Sequence, residues 1–153
     1  TWVKPVSLST AQGLFRNDSG LAANYYGAWI NIGTNGEIGV NYGSGGGASS
    51  TSRRTGTTPT GIVQTGSWSQ IACVIRGATD MSVYVNGVSQ SISYSGTGGT
   101  LAYTANAGSL GFTGPAGNFY LTGSMGMATL FARGLTDAEI TLLYNSTQNR
   151  FTP

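Results

Sequence analysis

The sequence predicts an all-β fold in which two antiparallel sheets stack face to face and one short helix closes the chain near its C-terminus. Three observations predict it. Apolar residues recur in short pieces of period two bounded by Gly and Asn, whereas helical periodicity occurs once, near the end. Gly, Ser, Thr and Asn dominate, with 25 glycines among 153 residues, which suits short strands joined by many turns. Charge is sparse, 8% of residues against roughly 25% in ordinary soluble domains, so solubility rests on hydroxyls and amides. A chain of this length can bury one core but would be hard to divide, so a single domain over residues 1–153 is expected.

The elements follow in order. Thr1 to Pro5 reads as a strand, and so does Gln12 to Phe15, which stops at the polar turn Arg16-Asn17-Asp18-Ser19-Gly20. Tyr26 to Ile32 and Glu37 to Tyr42 flank Gly33-Thr34-Asn35-Gly36; an Asn-Gly pair between alternating runs signals a hairpin, because both residues tolerate positive φ. Gly43 to Gly61 is nearly all Gly, Ser and Thr and reads as a long loop, part of which can pair as an edge strand. Trp68 to Arg76 and Met81 to Asn86 form a second hairpin, with β-branched Val74, Ile75, Val83 and Val85 as core candidates, and Asn86-Gly87 then turns the chain into a strand from Val88 to Tyr94. Further strands are expected at Leu101 to Thr104, Ser109 to Phe112, Phe119 to Thr122 and Met125 to Ala132. Leu135 to Tyr144 is the helix, with Thr136 and Glu139 spaced as a capping box and Asn145 placed to close it.

Trp68-Ser69-Gln70-Ile71-Ala72-Cys73-Val74 followed by Val83-Tyr84-Val85-Asn86-Gly87 resembles the central hairpin of the laminin-G-like, concanavalin-A-like lectin and glucanase superfamily. The run from Gly123 to Ile140 with Leu143-Tyr144-Asn145 resembles that family's closing strand and following helix, and Trp2-Val3-Lys4-Pro5 is similar to its early strand. The resemblance implies a jelly-roll sandwich and spans nearly the whole chain. It does not fix activity, since the matched residues are packing and turn positions and the family spans glycan-binding modules, adhesion domains, glycanases and virion surface proteins. Members usually carry another strand or two before the Trp-Val-Lys-Pro segment. The expectation is that the sandwich is trimmed, or that a neighbouring chain or an upstream segment covers that edge; the start at Thr1 suggests a processed chain or excised domain.

Several functions are disfavoured by composition. A net charge of +2, thinly spread, provides no basic field for nucleic acid or an anionic membrane, and no apolar stretch is long enough to span a bilayer as a helix. The lone Cys73 sits in an apolar run and reads as a buried hydrophobe. With no histidine, the commonest general base and zinc ligand is missing. Glycoside hydrolysis needs two opposed carboxyl groups, and the whole supply is Asp18, Glu37, Asp80, Asp137 and Glu139. Asp137 and Glu139 fit a helix cap and the others lie in or beside turns, so no catalytic residues are assigned and a non-enzyme is expected.

Binding residues can be placed by parity. If Ile30, Ile32, Ile38 and Val40 face inward, then Trp29, Asn31 and Asn41 share the opposite face. Sugar rings offer apolar C–H faces fringed by hydroxyls, which suits an aromatic platform beside amide or guanidinium donors. The candidate set is Asn24, Tyr25, Tyr26, Trp29, Asn31 and Asn41, with Arg53 and Arg54 on the adjacent loop; the competing reading covers Trp29 with that loop. Some laminin-G-like domains hold calcium at the rim, which by resemblance makes Asn17 and Asp18 the candidates, but one acidic side chain is a thin shell for that ion and a polar turn is the better reading, so no cofactor is expected.

The expected function is a non-catalytic carbohydrate-binding or adhesion module at an extracellular or virion surface, with a glycan or cell-surface polysaccharide as partner. The alternative is a structural decoration protein of a phage capsid or other particle, contacting neighbouring subunits. A glycan-active enzyme fragment comes last.

Overall fold

Alternation along each apolar run sends every second side chain inward. In the computed structural model, which describes residues 1–18, 24–113 and 119–151, these runs build a two-sheet antiparallel sandwich of jelly-roll type. One sheet has the order β13 (Gly123–Gly126), β1 (Trp2–Pro5), β6 (Ser69–Gly77), β7 (Asp80–Val85), β8 (Val88–Gln90). The other runs β10 (Ser109–Leu110), β2 (Gln12–Arg16), β3 (Ala28–Ile32), β4 (Ile38–Gly43), β5 (Arg53–Thr57), β9 (Ser93–Ser95). A two-stranded ribbon, β11 (Phe112–Thr113) with β12 (Phe119–Tyr120), lies against β2.

Between the sheets, Val3 and Val83 from the first meet Ile32, Ile38 and Val40 from the second, all five fully enclosed. Each such side chain contributes about 1.5–3 kcal/mol relative to exposure. The β3–β4 hairpin has its turn where the Asn-Gly pair places it: Gly33 donates to the Glu37 carbonyl at 2.8 Å, and Gly36 takes φ 75°, which a side chain would resist.

Helix α1 (Asp137–Thr147) packs Ile140 and Leu143 onto Ala72, Val74 and Tyr84 on the outer face of the five-stranded sheet. Its capping box is formed, with Thr136 Oγ1 accepting from the Glu139 N–H and the Glu139 carboxylate accepting from the Thr136 N–H at 2.8 Å. Arg133 donates to both Glu139 oxygens, at 2.9 and 2.6 Å. Hydrogen bonding by Arg133, then by the Thr136 backbone, pushes the Glu139 carboxyl down to about 2. A depressed carboxylate stabilises the folded state above its ordinary value of 4.5 and loses that contribution as pH falls towards 2. An NMR titration of the Glu139 carboxyl is expected to find its midpoint near 2; a midpoint near 4.5 would show that the box and the Arg133 pair do not persist in solution.

Several elements differ from the sequence reading. The Gly43 to Gly61 stretch contributes β5, which is interior, between β4 and β9, rather than at an edge. Val88 to Tyr94 is two strands in different sheets, because the polar residues around Ser91 let the chain cross between them. Leu101 to Thr104 is not a strand; Ala102 instead bonds to Gly43 and Gly27 through its backbone. Gly111, at φ 68°, divides Ser109 to Phe112 into β10 and β11. Met125 to Ala132 forms a strand only through Gly126, the residue that pairs with Trp2. The helix runs on to Thr147, so Asn145 does not close it. Ser19 and Gly20 of the predicted polar turn lie outside the described residues.

Candidate functional site

Strand register sets the outer face of the six-stranded sheet. Arg16 pairs with Trp29, Trp29 with Asn41, Asn41 with Thr55 and Thr55 with Ser95, giving one row of side chains across the sheet. The next row runs Gly13, Asn31, Gly39, Thr57, Ser93. Over this face lies a groove of about 290 Å³, with Asn31, Asn41 and Thr55 among its floor residues and Arg53, Glu37, Thr113 and Phe119 at its margins. The β11–β12 ribbon supplies the last two, held beside Gly13, where a Cβ would collide with the Thr113 backbone. Gly39 plays the same part in the floor, since a Cβ there would meet Asn31 Oδ1 at 2.9 Å.

The floor amides are oriented. Thr55 Oγ1 donates to Asn41 Oδ1 at 2.6 Å, and Asn41 Nδ2 donates to Asn31 Oδ1 at 3.0 Å. Asn41 is only 4% exposed, and with a longer bond from its Nδ2 to the Trp29 carbonyl at 3.5 Å three of its four side-chain hydrogen-bonding positions are met. The relay fixes Asn31 with its oxygen towards Asn41, which leaves the Asn31 NH₂ to serve a ligand.

One end of the groove is a stack of rings and guanidinium groups. Arg16 lies over the Trp29 ring at 5.9 Å, Tyr25 packs on Trp29 with centroids 5.4 Å apart, and Arg53 lies over Tyr25 at 5.3 Å. Trp29 is half-buried by these neighbours rather than by the Gly43 to Gly61 loop alone. Arg53 Nε is buried and has no acceptor among the described residues.

The structure thus brings Tyr25, Trp29, Asn31, Asn41 and Arg53 together. Tyr26 faces the loop glycine Gly45, and Asn24 sits half-buried at the start of the same stretch. Arg54 is not brought to the groove: one residue along a strand reverses the face, and its guanidinium donates to the carbonyls of Ala78 (3.1 Å) and Gly96 while lying over Tyr94. Asn17 and Asp18 spend their oxygens on the protein. Asn17 Oδ1 accepts from the Ala28 N–H at 2.7 Å, and the enclosed Asp18 carboxylate accepts from the Thr104 N–H and, at 2.6 Å, its hydroxyl. Thr55, Thr57, Ser95, Thr113 and Phe119 were not anticipated from the sequence. The available signal was Gly39, a glycine at an outward position inside an alternating strand, which marks close approach.

Two stacked antiparallel sheets with a short C-terminal helix on the outer face of one of them define a concanavalin A-like β-sandwich. The chain belongs to the laminin G-like family of the concanavalin A-like lectin/glucanases superfamily, whose pattern matches residues 1–141. Among solved structures, it is similar to an S-layer domain-containing protein from Clostridium thermocellum, at 21% identity and a TM-score of 0.43, over 88% of this chain. The chain spans 63% of that structure's length. No curated protein matches it.

Proposed function

We propose that this chain is a non-catalytic carbohydrate-binding module displayed at an extracellular surface, with the groove on the six-stranded sheet as its sugar site. The observation that carries the reading is the Thr55–Asn41–Asn31 relay ending beside Trp29: oriented amide donors next to an aromatic ring match a sugar's hydroxyl fringe and its apolar face. Its volume of about 290 Å³ is at the small end of the roughly 300–1,000 Å³ of ligand pockets, which suits a short sugar segment.

The non-catalytic part of the reading rests on where the carboxylates lie. All five are within the described residues, and Glu37 is the one that borders the groove. Asp80 pairs with Arg76, Asp137 accepts from the Tyr84 hydroxyl, Glu139 is in the helix cap and Asp18 is enclosed. Glycosidases of the usual kind need two carboxyl groups across the scissile bond, and a single one leaves either the acid or the nucleophile unassigned.

A glycan array is expected to show binding, and Trp29→Ala and Asn31→Ala are each expected to weaken it by at least about tenfold, as for an aromatic anchor and an oriented donor at a binding site. Melting curves of both variants separate lost contact from lost fold. Unchanged affinity in two folded variants would remove the groove from consideration.

A further inference from the structure

The groove carries one cation that the fold places firmly and leaves without an anion. Arg53 opens β5 opposite Gly43, and its backbone is pinned by the Gly98 N–H, which donates to its carbonyl at 3.0 Å. Its guanidinium lies over the Tyr25 ring at 5.3 Å. That ring is itself held, because the Tyr25 N–H donates to the Gly47 carbonyl at 3.1 Å and the Tyr25 carbonyl accepts from the Gly45 N–H at 2.8 Å. Among the described residues no oxygen accepts from any Arg53 nitrogen, whereas every other arginine of the chain donates to an oxygen or sulfur of the protein. Nε is the enclosed atom, so the part of the head open to the groove is the Nη pair. A guanidinium fixed over an aromatic ring with its forked N–H groups free is shaped for two oxygens of an oxyanion.

No carboxylate at the groove neutralises this charge. Glu37 borders the same groove, but from Glu37 to Gly43 the strand advances about 20 Å at roughly 3.3 Å per residue, more than two screening lengths of about 8 Å. The Glu37 carboxylate accepts from the Asn35 N–H at 3.1 Å, which keeps it at the hairpin turn. Asp18 is enclosed, and its charge supports that of Arg16. Between the two ends lie Trp29, the Asn31 NH₂ and the hydroxyls of Thr55 and Thr57. The groove is therefore positive at its aromatic end, neutral along its floor and negative at the hairpin end.

We propose, on the basis that the groove is the sugar site, that its ligand is an acidic saccharide: a carboxylate or sulfate on the sugar is held by the Arg53 Nη pair, and the chain runs from there across Trp29 towards Asn31. The row of Arg53 and Gly43 stands about 13 Å from the row of Asn31 and Gly39, at roughly 3.3 Å per residue, so the cation and the amide serve different parts of the ligand. A neutral sugar would use Trp29 and Asn31 and leave Arg53 unpaired. Glu37 repels an anion placed at the other end, which sets the direction in which the saccharide lies.

The test begins with a glycan array holding neutral, uronate-bearing and sulfated oligosaccharides. Calorimetry then compares the strongest binder with the same glycan after carboxyl reduction or desulfation. Acidic glycans are expected to lead, with loss of the acid group weakening binding at least about tenfold, the scale of a charge-assisted hydrogen bond. Arg53→Gln is expected to weaken the acidic form equally and to leave the neutralised form unchanged. Arg150→Gln, which removes the same charge beside Met127, is expected to change neither. Should melting curves show the Gln variant to be unfolded, Arg53→Lys keeps the charge and the stem and is expected to lose part of the affinity, since it lacks the fork. The uronate and sulfate arms tell which anion is taken. Neutral glycans that bind as tightly as acidic ones and still need Trp29 would overturn the acidic preference while keeping the groove as a sugar site. Equal losses from Arg53→Gln and Arg150→Gln would overturn it as well, by reducing it to net charge, and binding indifferent to Trp29→Ala would remove the groove itself.

Discussion

Replacing Asp18 by Ala is expected to destabilise the fold by about 3–5 kcal/mol, the loss typical of removing one member of a buried charged set. Asp18 is fully enclosed and Arg16 is 6% exposed. The carboxylate accepts both the N–H and the hydroxyl of Thr104, and the Arg16 Nε donates to the Asp18 carbonyl. Burial lowers the Arg16 pKa while the Asp18 charge opposes that shift, so the two charges support each other. Removing the carboxylate leaves an enclosed guanidinium without its countercharge and two donors without acceptors. For a chain of this length the melting temperature should fall by about 6–20 °C. Asp18→Asn tests the same point with little change in shape, because its NH₂ would face one of the two Thr104 donors and the countercharge to Arg16 would be gone. A fall of less than about 2 °C in both variants would show that the Arg16 and Thr104 contacts are not maintained. Since Arg16 lies over Trp29, the same substitutions should also loosen the aromatic end of the groove.

The second large effect is expected at Trp2. Its indole is 2% exposed, stacked on Tyr144 at 5.7 Å and on Phe151 at 4.7 Å, and its Nε1–H donates to Thr147 Oγ1 at 2.9 Å. Trp2 thus ties β1 to the end of α1. Trp2→Ala should cost about 3–5 kcal/mol, the range for a large aromatic deleted from a packed site. Trp2→Phe retains the stacking and loses the hydrogen bond, so about 1 kcal/mol is expected. Urea unfolding with circular dichroism measures both. Equal costs for the two variants would mean that stacking on Tyr144 and Phe151 contributes little.

What could be read from the sequence was whatever had a local cause. The Asn35-Gly36 turn, the hairpin after Trp68 and the capping box at Thr136 and Glu139 each need only a few neighbouring residues, and each formed where expected. Parity along β3 and β4 also held, which placed Trp29, Asn31 and Asn41 on one face. Strand β5 was harder to see, because Arg-Arg-Thr-Gly-Thr has no apolar alternation. Its one core-facing glycine, Gly56, leaves room for Ile92 and Met81, which pack there in place of a side chain. Once β5 is a strand, Arg53 and Arg54 must lie on opposite faces, a conclusion unavailable while they were read as loop residues. The groove margins were hidden for a related reason: Ser95, Thr113 and Phe119 come from elements far apart in the chain, and only long-range pairing brings them to Trp29.

The reading of the groove as a sugar site is tested most directly by NMR titration of the labelled protein with a glycan selected on the array. Binding there predicts saturable shifts in the Trp29 indole N–H and the Asn31 side-chain NH₂, together with the Thr55 and Thr57 amides, and a glycan recovered intact at the end. Shifts confined to other residues, or a shortened glycan, would contradict it.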